Sequence, residues 1–324
     1  DADGTYQGDN GGSQSRARIV AKGKVNEAVD VTGVAEWAMT ASDQSSLDPW
    51  GDIGDAANGT DAGTDSFFTL RHQYVKINHK QFGSVALGHT SEATDGVSEI
   101  GGAGNLQYGT SMLFAGSVSL QNSTTNAVVN GTDVGVLRAA VDGGRTSVVR
   151  YNTPSFAGIV IGVSQSNEQN SAVDAKFSGK FSGIGVKAAI GHKNSGGSST
   201  TVDSTTLGGI ALSHDSGLAV DFNYGQDNLV TAAGRDDPTA WAAGLNYSAD
   251  LTSAGKTLFR VAYSKSEDAT ANDDELIGYM VGVDQTVASG MSIYGGFQMD
   301  QAEQANNVNY EDVTTVFAGT KIVF

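Results

Sequence analysis

Basic side chains alternate along residues 15–24. In an extended chain, successive side chains point to opposite faces, so Arg16, Arg18, Lys22 and Lys24 share one face. The opposite face is apolar or small and holds Ala17, Ile19, Ala21 and Gly23. The pattern therefore predicts a strand with fixed positive charge on one side only.

A second group of charges opens the segment 91–144, where Glu92, Asp95 and Glu99 fall within eight residues. This segment is too long for a simple connection, and such stretches are usually functional or disordered. It also holds apolar side chains that would be costly on a solvated loop: Leu106, Tyr108, Met112, Leu113, Phe114, Val118 and Leu120. We expect the segment to fold back inside the protein and pack on its wall.

Catalytic and metal-binding patterns are weak. The histidines are scattered and form no His-Glu-x-x-His pattern, and they are His72, His79, His89, His192 and His214. No nucleophile elbow, phosphate loop or dinucleotide fingerprint is present, and there is no cysteine. We expect no catalysis and no cofactor. The acidic runs Asp1, Asp3, Asp9 and 272–275 offer hard oxygen ligands for Ca²⁺, but they lack calcium-loop spacing, and solvated loops are the favoured interpretation.

Composition excludes several classes of protein. The longest nearly apolar run is 156–163, far short of the roughly 20 residues of a membrane-spanning helix. The net charge of -17 argues against nucleic acid as a partner. Glycine is abundant at 43 residues and proline rare at 3, as in β proteins with many turns. The first residues lack a signal-peptide pattern, so we expect a mature or trimmed chain.

The dominant periodicity of the chain is two residues. Phe259, Val261 and Tyr263 alternate with a face that carries Arg260. A face of small and charged residues suits a wet lumen, and an apolar face with aromatics toward strand ends suits a lipid band. The pattern predicts strands at 13–26, 29–41, 66–79, 83–90, 145–153, 158–166, 173–181, 184–193, 203–213, 217–226, 239–249, 256–266, 275–286, 291–301 and 311–324.

Short and long connections alternate between these strands, as in outer-membrane barrels. We therefore predict an all-β fold, a transmembrane antiparallel β-barrel of one domain over 1–324 with the insert 91–144 in its lumen. Bacterial barrels have even strand counts, which favours sixteen strands. The missing strand would be very short before residue 13, or upstream of Asp1.

Four segments of the chain resemble the trimeric, sixteen-stranded general diffusion porins of Gram-negative bacteria. QFGSVALG at 81–88 is similar to the strand that enters the long third loop of that family. RTSVVRYNTPSFAG at 145–158 is similar to the strand and turn that leave it, and is the most specific match. VDQTVASGMSIY at 283–294 resembles the penultimate hairpin, and VFAGTKIVF at 316–324 the closing strand.

The resemblance implies a pore narrowed by an inward-folded loop, whose acids face arginines on the opposite wall. The wall residues would be Arg18, Arg71 and Arg150, to which periodicity adds Arg16 and Lys22. The loop acids would be Glu92, Asp95 and Glu99, although the Pro-Glu-Phe-Gly loop tip of the family is missing. Such opposed charges orient dipolar solutes and slow apolar ones.

The implied function is passive diffusion of small hydrophilic solutes and ions across the outer membrane. The implied partners are two further copies in a homotrimer, outer-membrane lipid and lipopolysaccharide, and the barrel assembly machinery, which would read Phe324. A channel selective for a sugar or organic anion is the alternative, ahead of a barrel enzyme or a secreted β-solenoid adhesin. Acidic loops predict weak cation selectivity that fades as salt rises.

Overall fold

The computed structural model describes residues 15–39, 68–102, 119–125, 128–138, 142–167, 169–196, 201–230, 234–304 and 308–323. Its strands are β1 (Arg16–Lys24), β2 (Val29–Met39), β3 (Phe68–His79), β4 (Gly83–Ser91), β5 (Ser119–Gln121), β6 (Val128–Asp133), β7 (Arg145–Asn152), β8 (Ile159–Ser166), β9 (Ser171–Phe181), β10 (Ile184–Asn194), β11 (Val202–His214), β12 (Leu218–Leu229), β13 (Thr239–Thr252), β14 (Gly255–Glu267), β15 (Glu275–Ala288), β16 (Met291–Gln304), β17 (Val308–Asn309) and β18 (Val313–Ile322). One short helix, α1 (Val134–Leu137), follows β6. Within these residues, no helix is long and apolar enough to cross a membrane.

The main sheet contains sixteen antiparallel strands, which confirms the expected fold and strand count. Consecutive strands pair as neighbours from β1 to β16, except that β5 and β6 form a separate two-stranded sheet. The sixteenth member is β17, a two-residue strand that pairs with β16, as β18 also does. The strand expected before residue 13 falls on residues 1–14, outside the described part of the chain.

The two faces of the barrel wall differ as the alternation predicts. On β14, Phe259 and Val261 are 41% and 53% exposed, whereas Arg260 and Ala262 between them are 1% and 4% exposed. The exposed outer face is therefore the apolar one, as expected for a surface that contacts lipid instead of water. An aromatic row on that face crosses four neighbouring strands, with ring centroids 5.0–6.0 Å apart, and consists of Phe222, Trp241, Tyr263 and Tyr279. Such a row is typical of the aromatic girdle at a membrane interface.

The insert between β4 and β7 has structure of its own. The β5–β6 hairpin leads into α1, where Asp133 caps the helix by accepting a 2.7 Å hydrogen bond from the N–H of Val136. Side chains of this part of the insert are buried against the inner face of β15, β16 and the residue after β17, in a cluster of Leu120, Val134, Leu137, Leu276, Ala302 and Tyr310. The insert therefore folds into the lumen, as expected. Of its apolar residues named above, those at 106–118 lie outside the described residues.

Candidate constriction site

Three arginines converge on one carboxylate at the inner wall of β1–β3. Glu36 on β2 is fully buried, and Arg18 lies directly across from it on β1. Arg18 and Arg71 both donate an Nε–H to the Glu36 carboxylate, with 3.1 Å between Arg71 Nε and Oε1. Arg16 Nε lies 4.0 Å from the same oxygen. We call these four residues the basic cluster.

A β-bulge brings Arg71 into the basic cluster. Glu36 pairs with His72 and Trp37 pairs with Leu70, so one residue of β3, Arg71, has no partner on β2. A bulge of this kind redirects side chains locally, and here it places Arg71 on the lumen side beside His72. The bulge also explains why polar and apolar side chains do not alternate regularly along the sequence of β3 at this point.

Among the described residues, the basic cluster carries more positive than negative charge. One carboxylate, that of Glu36, faces three guanidinium groups there, and the side chain of Arg18 remains 55% exposed. Charges of one sign at a polar wall attract counterions over about one Debye length, roughly 10 Å at 0.1 M salt. The cluster can therefore act on ions and dipolar solutes without binding them tightly.

Lys22 belongs to a different part of the wall. It shares the inner face with Arg18 but lies nearer the 25–28 turn, in register with Thr32 of β2. Its neighbours around a common cavity include Lys24 and Lys76. The structure thus brings together three of the five predicted wall residues and separates Lys22 from them.

Arg150 on β7 holds the start of the insert. Its Nη1 donates to the carbonyl oxygens of Ser91 at 3.4 Å and Glu92 at 2.9 Å. Its Nη2 lies 3.5 Å from a carboxylate oxygen of Asp174 on β9. Arg150 is therefore tied to the wall and to the backbone that leaves it, and its role in the constriction stays a prediction.

The carboxylate of Glu92 is bound both by the barrel wall and by the end of the insert. Its carboxylate accepts a hydrogen bond of 2.7 Å from Lys193 Nζ on β10 and one of 2.9 Å from the N–H of Gly144. Glu92 is only 2% exposed. The residue therefore fastens the first and last residues of the insert to β10, a partner that sequence spacing could not indicate.

The other two loop acids lie further along the insert. An Asp95 carboxylate oxygen is 3.9 Å from Arg145 Nε, and the Asp95 carbonyl accepts a hydrogen bond from Lys176 Nζ at 3.1 Å. Glu99, next to Ile100 in the chain, is partly buried. Their roles in the constriction stay predictions.

From Glu92 onward, the insert runs along the inner wall from β8 to β12. The N–H of Ala93 donates to Ser164 Oγ on β8 at 2.9 Å. Further on, the N–H of Ile100 donates to Asn223 Oδ1 on β12 at 2.8 Å, and Asn223 Nδ2 donates back to the Ile100 carbonyl at 3.0 Å. Sequence reasoning missed Asn223, although it alternates with Val220, Phe222 and Tyr224 as a lumen residue should.

Asp142 joins the two ends of the insert. Its carboxylate accepts hydrogen bonds from the N–H of Gly96 and from Ser98 Oγ, the latter at 3.0 Å. The adjacent Gly143 passes so close that a Cβ there would lie 2.2 Å from the Asp95 nitrogen. Burial and the neighbouring Asp95 raise the pKa of Asp142 to about 6. Sequence reasoning missed this residue because nothing local marks it.

The second half of the insert has its own anchor on the opposite part of the wall. Arg138 Nη2, just after α1, donates to Asp300 Oδ1 on β16 at 2.9 Å. Gln298 also donates to the Asp300 carboxylate. All three side chains are buried, so the anchor combines charge pairing with the apolar contacts of α1.

A buried ion pair stiffens the wall beyond β12. Arg260 Nη1 and Nη2 donate to the two Asp221 oxygens at 2.8 and 2.9 Å, and Nη1 also donates to Asn246 Oδ1. Gly244 lies under the guanidinium, where a Cβ would come within 2.5 Å of Nη2. The paired geometry is the bidentate one that makes arginine–carboxylate pairs strong.

Of the two acidic runs considered as possible calcium ligands, the structure describes one. Asp1, Asp3 and Asp9 lie outside the described residues. In the 268–274 loop, the Asp274 carboxylate accepts hydrogen bonds from the N–H groups of Ala269, Thr270 and Ala271. Within the described ranges, no group of three or more histidine, aspartate or glutamate side chains is arranged to hold a metal ion. The interpretation of these acidic runs as solvated loops stays a prediction.

A sixteen-stranded sheet with an apolar outer face, a polar inner face and a loop packed on that inner face defines a channel-type membrane barrel. Comparisons with solved structures agree with this class. An anion-selective porin from Comamonas acidovorans has a TM-score of 0.59 at 13% identity and matches 95% of this chain and 89% of its own.

Two further solved structures are similar. A loop L8 deletion mutant of OmpT from Vibrio cholerae has a TM-score of 0.56 at 14% identity, with 95% of this chain and 89% of that chain covered. OmpF of Salmonella typhi, in complex with daunomycin, has a TM-score of 0.53 at 13% identity, with 94% and 89% covered. No curated protein sequence matches the chain.

A family model described as Gram-negative porin matches residues 1–305. The chain therefore belongs to the Gram-negative porin family, and it is an outer-membrane diffusion channel.

Proposed function

We propose that small hydrophilic solutes and ions diffuse through this lumen past a constriction between the basic cluster and the insert. The observation that carries the proposal is the placement of these two features in the strand order. The basic cluster lies on β1–β3, and residues 92–102 of the insert lie along β8–β12. In a barrel of sixteen strands, β12 is eight strands from β2, so the stretch around residue 100, which is bound to β12, lies opposite the basic cluster.

A field across the lumen is the physical consequence. Arg16, Arg18 and Arg71 supply positive charge on one side, and Glu99, next to the residue of the insert that is bound to β12, supplies negative charge on the other. Asp95 lies closer to Arg145 of β7. Such a field orients dipolar solutes and slows poorly hydrated ones, while conduction requires that no solute binds tightly. The contacts of Arg150 and Glu92 support a positioning role for both, because they hold the insert to the wall.

The reversal potential across a planar bilayer under a salt gradient tests this proposal. We expect weak cation selectivity that fades as salt rises, because the acidic loops and basic wall oppose each other and both are screened. The triple variant R16Q/R18Q/R71Q should shift the reversal potential toward cations. R235Q, which removes an arginine that binds two carbonyl groups of the 268–274 loop, is the matched control. A strong, salt-independent anion preference would contradict the proposal.

Assembly and alternatives are tested separately. We propose a homotrimer, supported by the likeness to a trimer form of OmpT from Vibrio cholerae, and chemical cross-linking of the detergent-purified protein tests it. Contacts with lipid and lipopolysaccharide and recognition of Phe324 by the assembly machinery stay proposals. Deletion of Phe324 should lower the amount of assembled protein.

We also propose that the protein is not an enzyme, and ester hydrolysis by purified protein would contradict this.

A further inference from the structure

Three lysines face the lumen together at the short-turn end of β1 and β3. Lys22 on β1 and Lys76 on β3 both pair with Thr32, which lies between them on β2. Neighbouring strands are about 4.8 Å apart, which places the two Cα atoms about 10 Å apart. Lys24 is the next residue on the same face of β1. Short turns lie on the periplasmic side of outer-membrane barrels, so this group lies near the periplasmic mouth.

The three lysines line one cavity in the wall. The cavity has a volume of about 580 Å³, and its polar lining also includes Thr32, Asn78 and Asp30. A hydroxyl and an amide beside three ammonium groups provide hydrogen-bond donors of several geometries. The volume is ample for a small hydrated anion.

The charges of these lysines are not neutralised within the described residues. No carboxylate of the described residues forms an ion pair with Lys22, Lys24 or Lys76. Three other lumen lysines differ, because Lys176, Lys180 and Lys193 each lie 2.7–3.0 Å from an aspartate or glutamate oxygen. Asp30 is the single acid in the cavity lining, so the cavity keeps a net positive charge.

We propose that this cavity is a weak binding site for small polyvalent oxyanions, with inorganic phosphate as the typical ligand. The three ammonium groups would act as point charges on the phosphate oxygens, and Thr32 and Asn78 would donate further hydrogen bonds. The site is exposed to the lumen, so occupancy is brief and flux continues. The inference rests on the proposed channel function, to which it adds a preference for one class of anion at one mouth.

Two measurements on the purified full chain test the site. In a planar bilayer, potassium phosphate is added to a potassium chloride background at constant ionic strength, and the decrease in single-channel current is recorded. In detergent, broadening of the ³¹P resonance of inorganic phosphate reports binding without any need for conduction. We expect the wild type to show both effects.

The variants separate the site from the general field of the lumen. K22Q/K24Q/K76Q should weaken phosphate block about tenfold, equivalent to about 1.4 kcal/mol, and should remove the broadening. K22R/K24R/K76R should retain both effects because it keeps the charges. K187Q removes a lumen lysine of β10 that does not line the cavity, and should behave as wild type.

Equal phosphate block in the wild type and the triple glutamine variant would overturn the site, as would an equal loss in K187Q. Absence of ³¹P broadening from a protein that conducts chloride would overturn the site and leave the channel function intact. Broadening that disappears in the triple glutamine variant of a protein that does not conduct would support the site and contradict the channel proposal.

Discussion

Asp142 accepts hydrogen bonds from the N–H of Gly96 through both carboxylate oxygens, at 3.2 and 3.0 Å, although 46 residues separate the two positions. This contact lies at the neck of the insert, where Glu92 also bonds to the N–H of Gly144. These contacts therefore join the first and last segments of the insert.

The stability of the neck should depend on pH. Burial raises the pKa of Asp142 to about 6 from 3.8, so the folded protein holds this proton more tightly than the unfolded chain. The resulting stabilisation is complete below about pH 4 and is lost as pH rises through about 6, a change of roughly 2–3 kcal/mol. Denaturant unfolding of wild type and D142N in detergent from pH 4 to 7 measures it. Parallel stability curves for the two proteins would contradict the prediction.

Removal of the Glu36 carboxylate should make the lumen more attractive to anions. E36Q leaves Arg16, Arg18 and Arg71 without their shared anion. One unit charge at about 4 Å in water changes the energy of a passing ion by about 1 kcal/mol, or about fivefold in local concentration. The reversal potential at low salt should therefore shift toward anions. D236N, which removes an exposed loop acid, is the matched control, and an equal shift in both variants would argue against a role for the basic cluster.

Loss of Arg138 should release the second half of the insert. R138Q leaves Asp300 buried without its charged partner, and breaking such a pair costs about 3–5 kcal/mol. A loss of this size lowers the ratio of anchored to released insert by two or more powers of ten. We expect noisier single-channel currents and faster proteolysis within the insert. R235Q again serves as the control, and a quiet R138Q channel would show that the apolar contacts of α1 are sufficient.

The Arg260–Asp221 pair should matter for stability more than for selectivity. R260L leaves a buried carboxylate unpaired and should lower the free energy of unfolding by about 3–5 kcal/mol. The double variant R260L/D221L removes both charges and should recover part of that loss. A double-mutant cycle with D221L by denaturant unfolding measures the coupling. Additive effects of the two single variants would show that the residues do not stabilise each other.

The regular part of this protein was predictable from sequence because a strand has a period of two residues. Alternation placed Arg18 on the inner face of β1 and Phe259 on the outer face of β14, and both positions are confirmed. The inward path of the insert was also predictable, since Leu120 has too much apolar surface for a solvated loop. Each of these inferences needs only a local sequence pattern and the preference of each side chain for lipid or for water.

Only the tertiary structure decided which charges meet. Period two fixes the face of a side chain, but pairing depends on strand order, register and the path of the insert through the lumen. Glu92 therefore meets Lys193, 101 residues away, and a bulge delivers Arg71 to Glu36. Asp142 acquires its raised pKa from burial at the neck, a property that arises only when distant segments exclude water from the same carboxylate.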